Sequence, residues 1–225
     1  MFIYLKRVTF GFICFTMTAC GGGNSSDKQT DIITAPVVSL PTAEPQLAIP
    51  DNRYADSYNV LLVGNSHVRA NNLSGMLKML LQTGSNKAVR VQVAPGGSYL
   101  DERLSDSTTF NTIQSVNWNY IILQGQKYST SGQYSYPTEA TEYWAALSKT
   151  YHATPILFPE HPRQGNADEG SRVYALHLGI AEQEPACVAP LGPAWANAHA
   201  ALPQVALYSD GNHASLAGTL LTALL

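Results

Sequence analysis

The sequence predicts an α/β fold: a three-layer α/β/α sandwich around a central parallel sheet of five strands. Three observations carry this. Short apolar runs alternate with longer segments of helical period through residues 54–225, and that repeated alternation is the pattern of β–α units whose crossovers lay helices on both faces of a sheet. The run Trp118–Gln126 is nearly continuous in apolar residues, as expected of a strand covered on both faces. The first three runs also end in polar, glycine-containing segments, and ligands bind open parallel sheets beyond the carboxyl ends of their strands.

The elements follow in order. Tyr58–Gly64 (YNVLLVG) is the first strand. Asn72–Gly84 reads as a helix, because Leu73, Met76, Leu77, Leu80 and Leu81 recur at three- and four-residue steps and Gly84 ends them. Val89–Gly97 alternates and forms the second strand, and Trp118–Gln126 the third. Thr138–His152 is a helix with acidic residues early and a lysine late, matching the helix dipole. Thr154–Pro162 is the fourth strand, Ser171–Gln183 a helix and Ala186–Gly192 a short fifth strand. A helix opening at Pro193 follows, and His213–Leu225 forms the last. There is no internal repeat.

Composition narrows the function. Of 225 residues, 45% are hydrophobic and 13% charged, which supports a real core and excludes a disordered chain. The net charge is −3 and the few basic residues are scattered, so nucleic acid is not an expected partner.

Residues 1–19 read as a signal peptide: Lys6 and Arg7 precede an apolar stretch too short to span a bilayer comfortably. Met17-Thr18-Ala19-Cys20 resembles a bacterial lipobox, which predicts lipid on Cys20 and a cell-envelope lipoprotein, periplasmic or outer-membrane, anchored through that lipid. An ordinary signal peptide and an uncleaved anchor are the alternatives. Residues 20–53, polar and glycine-rich at first and proline-rich later, read as a flexible tether, which leaves 54–225 as the folded domain. Cys187 is then alone in the mature chain, without a partner for a disulfide, and its apolar run PACVAPLG reads as core.

The strand ends carry the chemistry. The first ends in Gly64-Asn65-Ser66-His67, the second in Pro95-Gly96-Gly97-Ser98 and the third in Gln124-Gly125-Gln126; YSDGNHAS stands before the last helix. A nucleophilic serine needs a tight exposed turn, an imidazole to take its proton, a carboxylate to hold that imidazole, and donors aimed at the developing oxyanion. Ser66 suits the first role, His213 the second and Asp210 the third. Backbone N–H groups at Ser66 and Gly97, together with a glutamine side chain from Gln124 or Gln126, suit the fourth.

These blocks resemble those of the SGNH/GDSL hydrolases. Gly64-Asn65-Ser66 matches their first block, Gly97 (with Gly96 adjacent) their second, and Asp210-Gly211-Asn212-His213 their last. NLSGMLKML and APLGPAW also resemble stretches of such proteins. The third block departs: the family's Gly-x-Asn-Asp is absent, and Gln124-Gly125-Gln126 is closer to the Gln-Gly-Glu of some SGNH carbohydrate esterases. The resemblance implies a flavodoxin-like SGNH fold and a serine esterase working through an acyl-enzyme. Ser66, His213 and Asp210 would be its triad, and Ser66, Gly97 and Gln124 its oxyanion donors, with Gln126 the alternative to Gln124. It implies no metal or organic cofactor. The expected substrate is a small ester or an acylated glycan, O-acetyl groups of carbohydrates among them. A binding lipoprotein with weak turnover and an O-acyltransferase are the rival readings.

Other residues have two readings each. His67 either lines the pocket or starts a helix. His161 and Arg163 follow the fourth strand on the ligand side, while Glu160 reads as a surface-loop carboxylate. Tyr99, Tyr128, Tyr134 and Tyr136 form either an aromatic wall or loop packing. His152, His177 and His199 lack metal-ligand spacing.

Overall fold

Five parallel strands pair in the order β2-β1-β3-β4-β5, from Ser57–Val63 (β1), Ala88–Val93 (β2), Tyr120–Gln124 (β3), Thr154–Phe158 (β4) and Cys187–Val188 (β5). They belong to a computed structural model that describes residues 46–105 and 107–225. The expected signal peptide, Cys20 and most of the expected tether lie outside the described residues.

Side chains alternate across a strand, so each strand feeds both faces of the sheet. Leu61, Val63, Ile121, Leu123 and Leu157 point to one core, with Ile113, Trp144 and Ile180. These three come from the helices Ser107–Gln114 (α2), Glu139–Thr150 (α3) and Ala167–Gln183 (α4). Leu62, Ile122 and Phe158 point to the other core, with Leu73, Trp195 and Ala223. These come from Leu73–Ser85 (α1), Leu191–Ala201 (α5) and Leu216–Ala223 (α6). The expected α/β/α sandwich with five parallel strands is therefore observed. Strand order reverses between β2-β1 and β1-β3, and the crevice at that switch point is where such sheets take ligands.

Several local expectations change. The tether ends earlier than residue 54. Lys149 Nζ donates to the Leu47 carbonyl at 2.8 Å, Thr154 Oγ1 to that of Pro50 at 2.5 Å, and Asn52 Nδ2 to that of His152 at 3.0 Å. Residues 46–53 have no regular structure, but their carbonyls satisfy donors at the end of α3 and the start of β4. Helix α2 was not evident in the sequence, because its segment STTFNTIQ is half threonine and serine and offers little apolar period. Helix α4 starts at Ala167, and α5 starts at Leu191 with Pro193 inside its first turn, where a missing N–H costs nothing. Cys187 is exposed and not a core residue, because β5 is a two-residue edge strand paired only with β4. Among the described residues, no helix is long and apolar enough to cross a membrane.

Candidate active site

The carboxyl end of β1 runs from buried Val63 through Gly64 and Asn65 into a single 3-10 turn, Ser66–Val68. Asn65 caps the turn: its Oδ1 accepts the His67 N–H at 3.1 Å. Ser66 thus sits exposed at the first position of the turn. No described residue accepts its backbone N–H, as expected at a helix start.

The imidazole arrives from 147 positions later. Ser66 Oγ lies 2.9 Å from His213 Nε2, and His213 Nδ1 lies 2.7 Å from Asp210 Oδ2. The other carboxylate oxygen, Asp210 Oδ1, accepts the N–H groups of His213 at 2.7 Å and Asn212 at 2.9 Å. The His213 N–H, then its ring and the Asn212 N–H, hold the Asp210 carboxyl well below the usual carboxylate range. An ionised Asp210 keeps the proton of a neutral His213 on Nδ1, which leaves the Nε2 lone pair facing Ser66. The relay is open to solvent, with side-chain exposures of 31% for His213 and 56% for Asp210.

What brings the two ends of the chain together is also visible. Asn71, five residues after the serine, donates through Nδ2 to the Ala214 carbonyl at 2.7 Å and to Thr219 Oγ1 at 2.9 Å. Gln164 N–H, from the loop after β4, donates to the Gly211 carbonyl at 2.9 Å. The asparagine-rich stretch after Ser66 is thus the tie that holds the histidine loop.

Gly97 follows β2, is exposed, and has a backbone N–H that no described residue accepts. Two arginines fix its loop. Arg69 Nη2 donates to the carbonyls of Ala94, at 2.7 Å, and Gly96. Arg103 is 2% exposed. It donates to the Gly64 carbonyl at 2.6 Å, the Pro95 carbonyl at 3.0 Å, Thr109 Oγ1 at 2.8 Å and the Ser98 carbonyl at 3.3 Å. A single buried side chain therefore ties the turn before the nucleophile to the loop that presents Gly97.

No family model and no curated protein matches the sequence. Solved structures do match. A candidate SGNH hydrolase from Slackia heliotrinireducens aligns at 23% identity with a TM-score of 0.57, over 75% of this chain and 96% of its own. A GDSL-like lipase candidate from Parabacteroides merdae aligns at 13% with a TM-score of 0.54, over 80% and 96%. A variant of an acetylxylan esterase from Geobacillus stearothermophilus aligns at 15% with a TM-score of 0.53, over 74% and 91%.

The fold is that of the SGNH hydrolases.

Within this SGNH fold the third block behaves differently from expectation. Gln124 is 0% exposed. Its Oε1 accepts the Asn65 N–H at 2.8 Å and its Nε2 donates to Glu160 Oε1 at 2.6 Å. It braces the nucleophile turn from below and does not face a substrate, so it cannot be the expected oxyanion donor. Gln126, the alternative, is 4% exposed. Its Nε2 donates to the carbonyls of Lys127 and Pro137, and its Oε1 accepts from Thr141. With both hydrogens and the oxygen engaged, it holds the loop after β3 onto α3. Of the expected oxyanion donors, the backbone N–H groups of Ser66 and Gly97 are the ones that no described residue accepts.

Glu160, expected on a surface loop, is buried. Its Oε2 accepts from Tyr128 Oη at 3.1 Å and lies 3.5 Å from His67 Nε2. The His67 ring packs 5.1 Å from that of His213 and 5.3 Å from that of His161, and His161 stacks on Trp195 at 3.9 Å. Burial, followed for His67 by the neighbouring His213, pulls His67 and His161 down to about 4. At neutral pH both are uncharged, so neither ring sets a positive charge beside His213. Tyr99, Tyr128 and Tyr136 line a cavity of about 280 Å³ with Glu160 and Arg163; Tyr134 is exposed outside it. An apolar cavity of about 390 Å³ on the α1/α6 side contains no triad residue. His177 is buried on α4 and, with His152 and His199, takes no part in the relay. Among the described residues, no three His, Cys, Asp or Glu are grouped as metal ligands.

Proposed function

We propose that the protein is a serine esterase that hydrolyses carboxylic esters through an acyl-enzyme, with O-acetyl groups of carbohydrates as its substrates. The observation that carries this reading is the continuous relay from Ser66 Oγ to His213 Nε2 at 2.9 Å and from His213 Nδ1 to Asp210 at 2.7 Å. Ser66 Oγ attacks the ester carbonyl while its proton passes to His213 Nε2. The imidazolium is held by Asp210, which stays ionised. The N–H groups of Ser66 and Gly97 receive the tetrahedral oxyanion. Collapse breaks the bond to the alcohol, which leaves with the proton from His213, and acyl-Ser66 remains. Water then gives a proton to His213 and attacks the acyl carbonyl. The second tetrahedral species releases the acid and returns the proton to Ser66.

Support for a carbohydrate comes from the tyrosine-lined cavity that shares Glu160 with the nucleophile turn, since aromatic faces and polar groups together suit a sugar ring. The likeness to an acetylxylan esterase agrees with it. Lipid anchoring through Cys20 in the cell envelope is a further proposal resting on the sequence. It predicts incorporation of radiolabelled palmitate that Cys20→Ala abolishes. The esterase reading is tested by hydrolysis of 4-nitrophenyl acetate and of acetylated xylan by the wild-type protein and Ser66→Ala. Acetate release by wild type alone supports the reading, and equal rates from both proteins sink it.

A further inference from the structure

The carboxylate of Glu160, 8% exposed, is the hub beneath the nucleophile turn. One oxygen accepts from Gln124 Nε2 at 2.6 Å and from Asn65 Nδ2 at 3.5 Å; the other accepts from Tyr128 Oη at 3.1 Å and touches His67 Nε2 at 3.5 Å. We propose that Glu160 is a positioning residue for the reaction of Ser66, acting through Gln124 on the turn that carries the serine and through His67 on the ring of His213. The proposal rests on the esterase reading.

The support begins at the Asn65 N–H, which donates to Gln124 Oε1. This donor lies one peptide before Ser66 and has turned away from the β1 ladder, so it needs an acceptor. Gln124 Oε1 is that acceptor, and this choice fixes the amide with its NH₂ group pointing the other way into a closed space. A buried NH₂ group without an acceptor is costly, and Glu160 Oε1 supplies one. Linked hydrogen bonds polarise one another, so the bond at one end of the amide strengthens the bond at the other. The chain of contacts from Glu160 to Gln124 to the Asn65 peptide therefore holds the geometry of the serine turn. Through its second oxygen Glu160 sets the His67 ring, which lies tilted by 31° against His213. Burial raises the Glu160 carboxyl, while its bonds from Tyr128, Asn65 and Gln124 oppose that rise. Misplacing a reacting group by about 1 Å can cost 10²-fold in rate, and that is the scale on which this support acts.

The test is steady-state kinetics on 4-nitrophenyl acetate with Glu160→Ala, Glu160→Gln, Gln124→Glu and the exchange variant Gln124→Glu/Glu160→Gln, each in the full chain, with melting curves alongside. Glu160→Ala is expected to lower kcat about 100-fold and change KM less than about twofold. Glu160→Gln, which keeps an oxygen for Gln124, should recover at least about tenfold of that loss. Gln124→Glu sets two carboxylates against each other and should be nearly inactive. The exchange variant rebuilds a carboxylate–amide pair and should recover at least about tenfold over Gln124→Glu, a coupling that independent sites do not show. If Glu160→Ala does not fold, the exchange series decides. Wild-type kcat in Glu160→Ala, a loss confined to KM, or an exchange variant no better than Gln124→Glu would overturn the positioning role. A wild-type protein without ester hydrolysis would overturn the esterase reading itself.

Discussion

Gly64→Ala is predicted to loosen the site and the fold together. A Cβ built on Gly64 lies 2.2 Å from Gln124 Oε1, 2.9 Å from Val68 Cγ1 and 3.0 Å from Gln124 Cβ. The nearest of these contacts is more than 1 Å inside ordinary separation. Gln124 cannot swing aside freely, because it is fully buried and bonded at both ends, to the Asn65 N–H and to Glu160. Overpacking of this kind costs about 1–3 kcal/mol. Losing or bending the two hydrogen bonds, one of them to a carboxylate, adds about 1–3 kcal/mol. The sum, roughly 2–6 kcal/mol, corresponds to a melting point lower by about 4–24 °C for a domain of this size. Differential scanning calorimetry at neutral pH measures it, and hydrolysis of 4-nitrophenyl acetate well below the melting point should fall in kcat by at least about tenfold. A variant that melts within about 2 °C of wild type with unchanged kcat would show that the Gln124 side chain, at the end of β3, is not wedged against the turn after β1 and does not hold it.

Further predictions follow from the same contacts. Gln126→Ala should lower the melting point but leave kcat within about threefold, whereas removing a true oxyanion donor costs on the order of 10²–10³ in kcat. Arg103→Met leaves the buried carbonyl of Gly64 without a donor and releases that of the exposed Pro95. At about 1–3 kcal/mol for the buried carbonyl, the melting point should drop by several degrees, with loss of activity as the Gly97 loop slackens. His67, His161 and His177 are each held by burial at about 4, below the ordinary value near 6.5. Between those values the unfolded chain binds protons that the native protein does not. The contribution of these histidines should therefore be full above about pH 6.5 and fall as pH drops toward 4, their share of proton uptake on unfolding near pH 5 approaching three, with the raised Glu160 carboxyl acting in the opposite sense. A melting point independent of pH from 7 to 4.5 would contradict this. His213→Ala should reduce kcat more than Asp210→Ala, because the exposed carboxylate only orients and stabilises the base.

The fold was legible because its signals are periodic. The 3.6-residue rhythm of Leu73–Leu81 and the unbroken apolar run Tyr120–Leu123 each admit one placement, and the sheet follows from their alternation. The meeting of Ser66, His213 and Asp210 was legible because each stands at a strand end or a helix entry next to a glycine turn. What the sequence concealed is pairing across distance. Gln124 looks like a donor aimed outward, yet the choice between facing substrate and facing Asn65 is made by Glu160, 36 positions away. Arg103 carries no motif at all; its role appears only when the carbonyls of Gly64, Pro95 and Ser98 converge on it. Glu160 and Cys187 were misplaced for related reasons. A charged residue after a strand reads as surface until its four partners are seen, and an apolar run around a cysteine reads as core until its strand proves to be a two-residue edge.

The esterase reading requires Ser66 to be an activated nucleophile. The most direct measurement is intact-protein and peptide mass spectrometry after brief exposure to a fluorophosphonate. A single phosphonyl adduct on the peptide containing Ser66, absent from Ser66→Ala and strongly slowed in His213→Ala, is the predicted result. No adduct, or an adduct on another residue that persists in Ser66→Ala, would contradict it.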